Sequence, residues 1–214
     1  MKSKLTILIL LKFLVLFVII TVLVLTENAA TANLNHAFYT LIAAQIHPTL
    51  TAAATVIGNL THWYSYTPII LLLLILSRTR IKIGLPIAIT LSASAILGPL
   101  VLKNIFAIER PNINQLIAPG GFGYPSGHSM NAMVFFGMCT IMMLRHAKSK
   151  PLKIGFTAFA VICILLVGLS RIYLGVHTLT DVLGGYCAGG VVICAALLIE
   201  KRIHERTAPK SEVT

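Results

Sequence analysis

LTILILLKFLVLFVIITVLVLT, Leu5 to Thr26, carries a single charged residue, Lys12. A helix needs ~20 apolar residues to cross the hydrocarbon layer of a bilayer. This stretch supplies them and is read as a span. It is longer than the apolar core of an ordinary signal peptide and has no small-residue cleavage motif close behind it. Ala29, Ala30 and Ala32 follow, but the run is read as a retained anchor. Lys12 can snorkel toward the nearer interface.

The rest of the chain repeats the pattern. Of 214 residues, 57% are hydrophobic and 11% charged. A soluble domain carries about 25% charged residues, so lipid must cover this one. Five further spans are expected: one centred on Pro68 to Leu76, then Gly84 to Phe106, Ser129 to Leu144, Ile154 to Leu174, and Thr180 to Ile199. The expected fold is therefore all-α, a single integral-membrane domain over residues 1–214 built as a bundle of six transmembrane helices. Residues 27–66 are read as an outer-side interfacial segment, a short surface helix leading into the second span. Trp63, Tyr64 and Tyr66 would anchor it at the interface.

The net charge of +11 does not point to nucleic acid, because the cations form no single basic face. They sit in short clusters between apolar runs. Lys2 and Lys4 precede the first span, and Arg78, Arg80 and Lys82 follow the second. Arg145, Lys148, Lys150 and Lys153 follow the fourth, and Lys201, Arg202, Arg206 and Lys210 the sixth. Six spans put all four clusters on one side, holding 13 of the 17 Lys and Arg residues. The positive-inside rule makes that side cytoplasmic, with both termini there. Cys139, Cys163, Cys187 and Cys194 all fall in apolar runs without a CxxC pair, so they are read as small buried apolar residues.

Lys103, Arg110 and Arg171 fall on the opposite, outer side, with His128, His177 and Asp181, the only aspartate. Ionisable groups at span ends are costly unless paired, which marks them as functional candidates. Lys103 and Arg110 are seven apart, a spacing that puts both on one helical face, and Pro111 then disfavours helix at Arg110. His177 and Asp181 are four apart, so the carboxylate can reach the imidazole across one turn. Pro125-Ser126-Gly127-His128 opens the fourth span, where free N–H groups, a glycine and a hydroxyl form an anion seat. Cations, helix-start amides and an oriented histidine are what phosphoryl transfer requires.

Lys103-x6-Arg110-Pro111, Pro125-Ser126-Gly127-His128 and Ser170-Arg171-x5-His177-x3-Asp181 together resemble the three-part signature of the type 2 phosphatidic acid phosphatase family, matched in order over 103–181. The resemblance implies a metal-independent, cofactor-free membrane phosphatase. It implies that His177 takes the phosphoryl group as phosphohistidine and that Asp181 orients it. His128 would protonate the leaving oxygen and then activate water. Lys103, Arg110 and Arg171 would hold the phosphate oxygens, with Ser126 and the Gly127 amide completing the seat; Glu109 receives no role. Undecaprenyl diphosphate, phosphatidylglycerophosphate and phosphatidic acid are the substrates it implies, met at the outer face of the plasma membrane. Vanadium-dependent haloperoxidases share the signature but are soluble. A lipid or anion transporter would need a polar path across the bundle, which the sequence does not offer. Oligomeric state is not legible.

Overall fold

The structure, a computed structural model, describes residues 3–62 and 84–207 together with Ser65, Pro68, Leu71, Leu72 and Ile75. Most of the expected second span lies outside the described residues. So do Trp63, Tyr64, Tyr66 and the cluster Arg78, Arg80 and Lys82. Among the described residues there is helix and no strand. The helices are α1 (Ser3–Leu25), α2 (Ala29–Ala43), α3 (Pro48–Leu60), α4 (Gly84–Ile96), α5 (Gly127–His146), α6 (Lys150–Tyr173) and α7 (Leu179–Thr207). Five stretches among them are long and apolar enough to cross a membrane: Ser3–Leu25, Pro86–Phe106, Gly127–His146, Lys150–Tyr173 and Leu179–Arg206.

Four of the expected spans match these within a few residues. The sixth runs further, because α7 continues through Glu200, Lys201 and Arg202 into its basic end. Among the described residues of 27–66 lie α2 and α3, two helices where one short surface helix was expected. Asn28 caps α2 by accepting from the Ala30 and Thr31 N–H groups, and Pro48 sits in the first turn of α3, where its missing N–H costs nothing.

α1 shows how lipid inverts the usual burial rule. Leu5, Leu8, Leu11, Val15, Val18 and Val22 are exposed, and the buried side chains are Thr6 and Thr21. Apolar side chains lose nothing facing acyl chains, whereas a hydroxyl needs a partner there. Thr21 finds two: it donates to the Phe17 carbonyl at 2.7 Å and lies 2.7 Å from the Tyr124 hydroxyl. Tyr124 is fully buried, stacked on Phe17 and edge-on to Phe106. This ties α1 to the loop that precedes α5.

α4 does not stop at Ile96. Pro99 has no N–H to give the ladder, and the helix widens into a π-helical stretch at Leu97–Leu102 before a last α turn, Lys103–Phe106. Ala107 then adopts the left-handed conformation (φ 48°) and ends it.

α7 is the central helix, packed against both α1 and α5. Close approach depends on its glycines. A Cβ on Gly185 would lie 2.5 Å from the Ser126 carbonyl oxygen, and one on Gly189 would lie 2.8 Å from the Met130 carbonyl oxygen. Gly185-x3-Gly189 thus lets α7 touch the α5 backbone, as small residues do at membrane helix contacts. α5 and α7 run one way and α6 the other, so Ser126, Arg171 and Asp181 meet at one end of the bundle. Arg145 and Glu200 meet at the opposite end, paired at 2.9 Å.

Gly185→Ala should lower the thermal unfolding midpoint in detergent, through overpacking that costs ~1–3 kcal/mol. Gly155→Ala, whose Cβ meets nothing within 4 Å, should leave the midpoint unchanged or raise it. Equal behaviour of the two variants would contradict this packing.

Candidate active site

The start of α7 fixes the acid. Thr178 Oγ1 accepts from the Asp181 N–H at 3.2 Å, and Asp181 Oδ2 accepts from the Thr178 N–H at 2.8 Å. This is a reciprocal capping box, readable in Thr178-Leu179-Thr180-Asp181. His177 lies just before the helix, so Asp181 reaches it over the helix N-terminus and not across a helical turn as the spacing suggested. Asp181 Oδ2 lies 3.4 Å from His177 Nδ1, an ion-pair distance without the alignment of a full hydrogen bond.

His177 is 1% exposed. Its Nε2 faces Arg110 Nη1 at 3.3 Å. A guanidinium has donors only, so Nε2 must carry the lone pair and Nδ1 the hydrogen. Burial pushes the His177 pKa down to about 4, against Asp181, which pulls it up; Lys103 and Arg110 deepen the depression. His177 is therefore a neutral imidazole with its free lone pair turned toward a cation.

Arg110 is not on a helix with Lys103. The helix ends at Phe106, because Ala107 is left-handed, and Arg110 sits in the loop beyond. Backbone carbonyls hold it in place. Nε donates to the Gly121 oxygen at 3.0 Å, Nη2 to the Gly120 oxygen at 2.8 Å, and Nη1 to the Val176 oxygen at 2.8 Å. Gly121 has φ +66°, a conformation that favours glycine. Lys103 Nζ donates to the Phe122 oxygen at 2.6 Å. Both cations thus rest on neutral carbonyls of one loop, and their charges are not cancelled there.

Arg171 is 3% exposed, and its Nε has no hydrogen-bond partner. Its guanidinium lies under α3, where a Cβ on Gly58 would collide with Nη1. Ser126 is the N-cap of α5 and fully buried; its Oγ accepts from the Ser129 N–H at 3.4 Å and the Ser129 hydroxyl at 3.0 Å. Neither bond uses the hydroxyl hydrogen of Ser126. The Gly127 and His128 N–H groups lie in the first turn of α5, where the helix has no carbonyl to offer them. The Ser126 N–H donates to the Asp181 carbonyl at 2.9 Å, joining the starts of α5 and α7. Arg171, His177 and Lys103 are all within electrostatic reach of His128.

All eight expected site residues therefore lie at one end of the bundle. Three other residues join them without any sequence signal. Asn35 of α2 clamps the α7 start: its Nδ2 donates to Thr180 Oγ1 at 3.0 Å and its Oδ1 accepts from the Thr180 N–H at 3.2 Å. Gly58 makes room for Arg171. The His62 ring packs edge-to-face on His128, with centroids 5.4 Å apart.

Comparison with known proteins places the chain in a family. Phosphatidylglycerophosphatase B of Bacillus subtilis (strain 168) is 42% identical over 91 residues, 42% of this chain and 44% of that protein. Lipid phosphate phosphatase delta of Arabidopsis thaliana is 25% identical over 95 residues, 44% of this chain and 23% of that protein. The matched stretch thus spans less than half the length of either relative. Among solved structures, the crystal structure of a transmembrane PAP2 type phosphatidylglycerolphosphate phosphatase from Bacillus subtilis superposes with a TM-score of 0.75 at 26% identity, covering 92% of this chain and 96% of that one. Aquifex aeolicus LpxE superposes with a TM-score of 0.59 at 27% identity, covering 77% and 95%. The PAP2 superfamily model matches residues 83–205, from α4 into the last turn of α7, a stretch that contains every expected site residue. Because that match takes in more than half of the chain, the protein belongs to the PAP2 superfamily.

Proposed function

We propose that this protein is a metal-independent lipid phosphatase that removes the terminal phosphate of a membrane lipid phosphate or diphosphate through a phosphohistidine on His177. The observation that carries the reading is the charge balance around the His177 Nε2 lone pair. Lys103, Arg110 and Arg171 bring three cations, and among the described residues Asp181 is the carboxylate that pairs with His177. In a partly dehydrated site these cations repel one another, and an incoming phosphomonoester relieves that.

The chemistry follows from the donors. Arg110 Nη1 shifts from Nε2 to a phosphate oxygen, a better acceptor, and frees the lone pair. Nε2 attacks phosphorus, the bond to the leaving oxygen breaks, and His128 gives that oxygen a proton. Asp181 stabilises the positive charge that develops on the imidazole. Water then attacks the phosphohistidine, His128 takes its proton, and inorganic phosphate leaves with His177 neutral again. The Ser126 hydroxyl and the Gly127 amide complete the seat for the non-bridging oxygens.

The active site faces the outer side of the plasma membrane in this reading. The support is its position at the bundle end opposite Arg145, Lys148, Lys150, Lys153, Lys201, Arg202 and Arg206. The lipid tail stays in the bilayer while the head group enters laterally. Undecaprenyl diphosphate and phosphatidylglycerophosphate are the first choices, followed by phosphatidic acid. The relatives named as phosphatidylglycerophosphatase B and lipid phosphate phosphatase support the class.

A panel of these three lipids in detergent tests the reading. Wild-type protein should release phosphate from at least one, inhibited by vanadate, and His177→Ala should abolish release; a fully active His177→Ala variant contradicts it. Arg171→Ala should cost ~2–4 kcal/mol of transition-state stabilisation, as loss of one oxyanion donor does, read as kcat/KM on the preferred lipid. The His177 imidazole, followed by nitrogen NMR in the ligand-free protein, should stay neutral on lowering the pH until about 4. A midpoint in the range of an ordinary exposed histidine would show that its buried, cation-facing setting is wrong.

A further inference from the structure

α3 and the residues just after it reach two members of the site at once. Ala54 and Gly58 are buried on the face of α3 that packs against α6, and Gly58 gives room to the Arg171 guanidinium. Thr61 closes the helix; its hydroxyl donates to the Gly58 carbonyl at 3.0 Å, and its N–H bonds the same oxygen. His62 follows, its N–H bonded to the Asn59 carbonyl at 3.2 Å. Both backbone bonds fix where the His62 side chain begins. Its ring meets His128 at 5.4 Å between centroids and 62° between planes, inside the range of favourable edge-to-face pairs.

His128 needs such a neighbour. It stands in the first turn of α5, where a side chain is less hemmed in than inside a helix, and the other groups within electrostatic reach are Arg171, His177 and Lys103. Arg171 and Lys103 are cations and repel the charge His128 must carry to act as an acid. They cannot hold the ring by attraction. His62 can do so through ring contact, which needs no opposite charge; burial, and after it the nearby Arg171, lowers its pKa.

We infer that His62 is a positioning residue for the leaving-group acid, its ring packed edge-to-face on His128 so that the imidazole points at the departing oxygen. The inference rests on the phosphatase reading. It predicts a dependence on the leaving group. Protonation matters for an alkoxide and little for a nitrophenolate, which departs without a proton. A residue that acts through His128 must therefore matter for the first and not for the second.

The test compares wild type, His62→Ala and His62→Phe in detergent, on phosphatidic acid and on p-nitrophenyl phosphate, by kcat/KM. His62→Ala should lose at least about tenfold on phosphatidic acid, a share of the ~10²–10⁴ that acid catalysis supplies, and under about threefold on p-nitrophenyl phosphate. His62→Phe keeps the ring and should recover most of the loss. An undiminished His62→Ala on phosphatidic acid overturns the inference, as does an equal loss on both substrates. A loss on phosphatidic acid that Phe does not restore overturns the ring-packing role. Wild-type protein inert toward p-nitrophenyl phosphate and toward all three lipids of the panel would overturn the phosphatase reading itself, and the inference with it.

Discussion

One backbone hydrogen bond sets the register of this site: the Ser126 N–H on the Asp181 carbonyl, 2.9 Å. It joins the N-termini of α5 and α7, and each of those carries one histidine of the pair, His128 and His177. The bond forms only because α7 can touch the α5 backbone, which Gly185 permits. A side chain there would part the two helix starts. The capping box of Thr178 and Asp181 then decides where the carboxylate points, and the carboxylate decides which nitrogen of His177 carries the hydrogen.

The second constraint is electrostatic. In a membrane protein every buried polar group needs a partner, and nearly all here have one. Among the described residues Arg171 stands out: it is buried and cationic, and its Nε has no hydrogen-bond partner. Lys103 and Arg110 are bonded, but to neutral carbonyls of the 120–122 loop. Carbonyls orient a cation without cancelling its charge. The site is therefore shaped and charged before any anion arrives, so less reorganisation remains for the moment of binding.

Much of this was legible in the sequence because lipid imposes simple rules. Span length and sparse charge located α1, the Pro86–Phe106 span, α5 and α6 within a few residues, and the start of α7 but not its end. Lys103, Arg110 and Arg171 stood out because they fall outside the four basic clusters that alternate with the apolar runs. Local geometry was less legible. Lys103 and Arg110 looked like one helical face, yet the left-handed Ala107 ends the helix between them, and nothing about an alanine announces that. His177 and Asp181 looked like neighbours one turn apart, while the capping box in Thr178–Asp181 was there to be read and gives the actual arrangement. Asn35, Gly58 and His62 could not be found at all. Their roles come from where α2 and α3 land on α6 and α7, a tertiary fact that no local pattern encodes.

The central claim is that the His177 Nε2 lone pair takes the phosphoryl group. The most direct measurement traps it. His128→Ala protein, slowed in hydrolysing the intermediate, is mixed with lipid carrying labelled terminal phosphate, quenched in alkali and mapped by mass spectrometry. The expected result is an acid-labile, base-stable phosphate on His177, absent from the His177→Ala control. Label on another residue, or phosphate release that persists in His177→Ala protein without any covalent label, would contradict the claim.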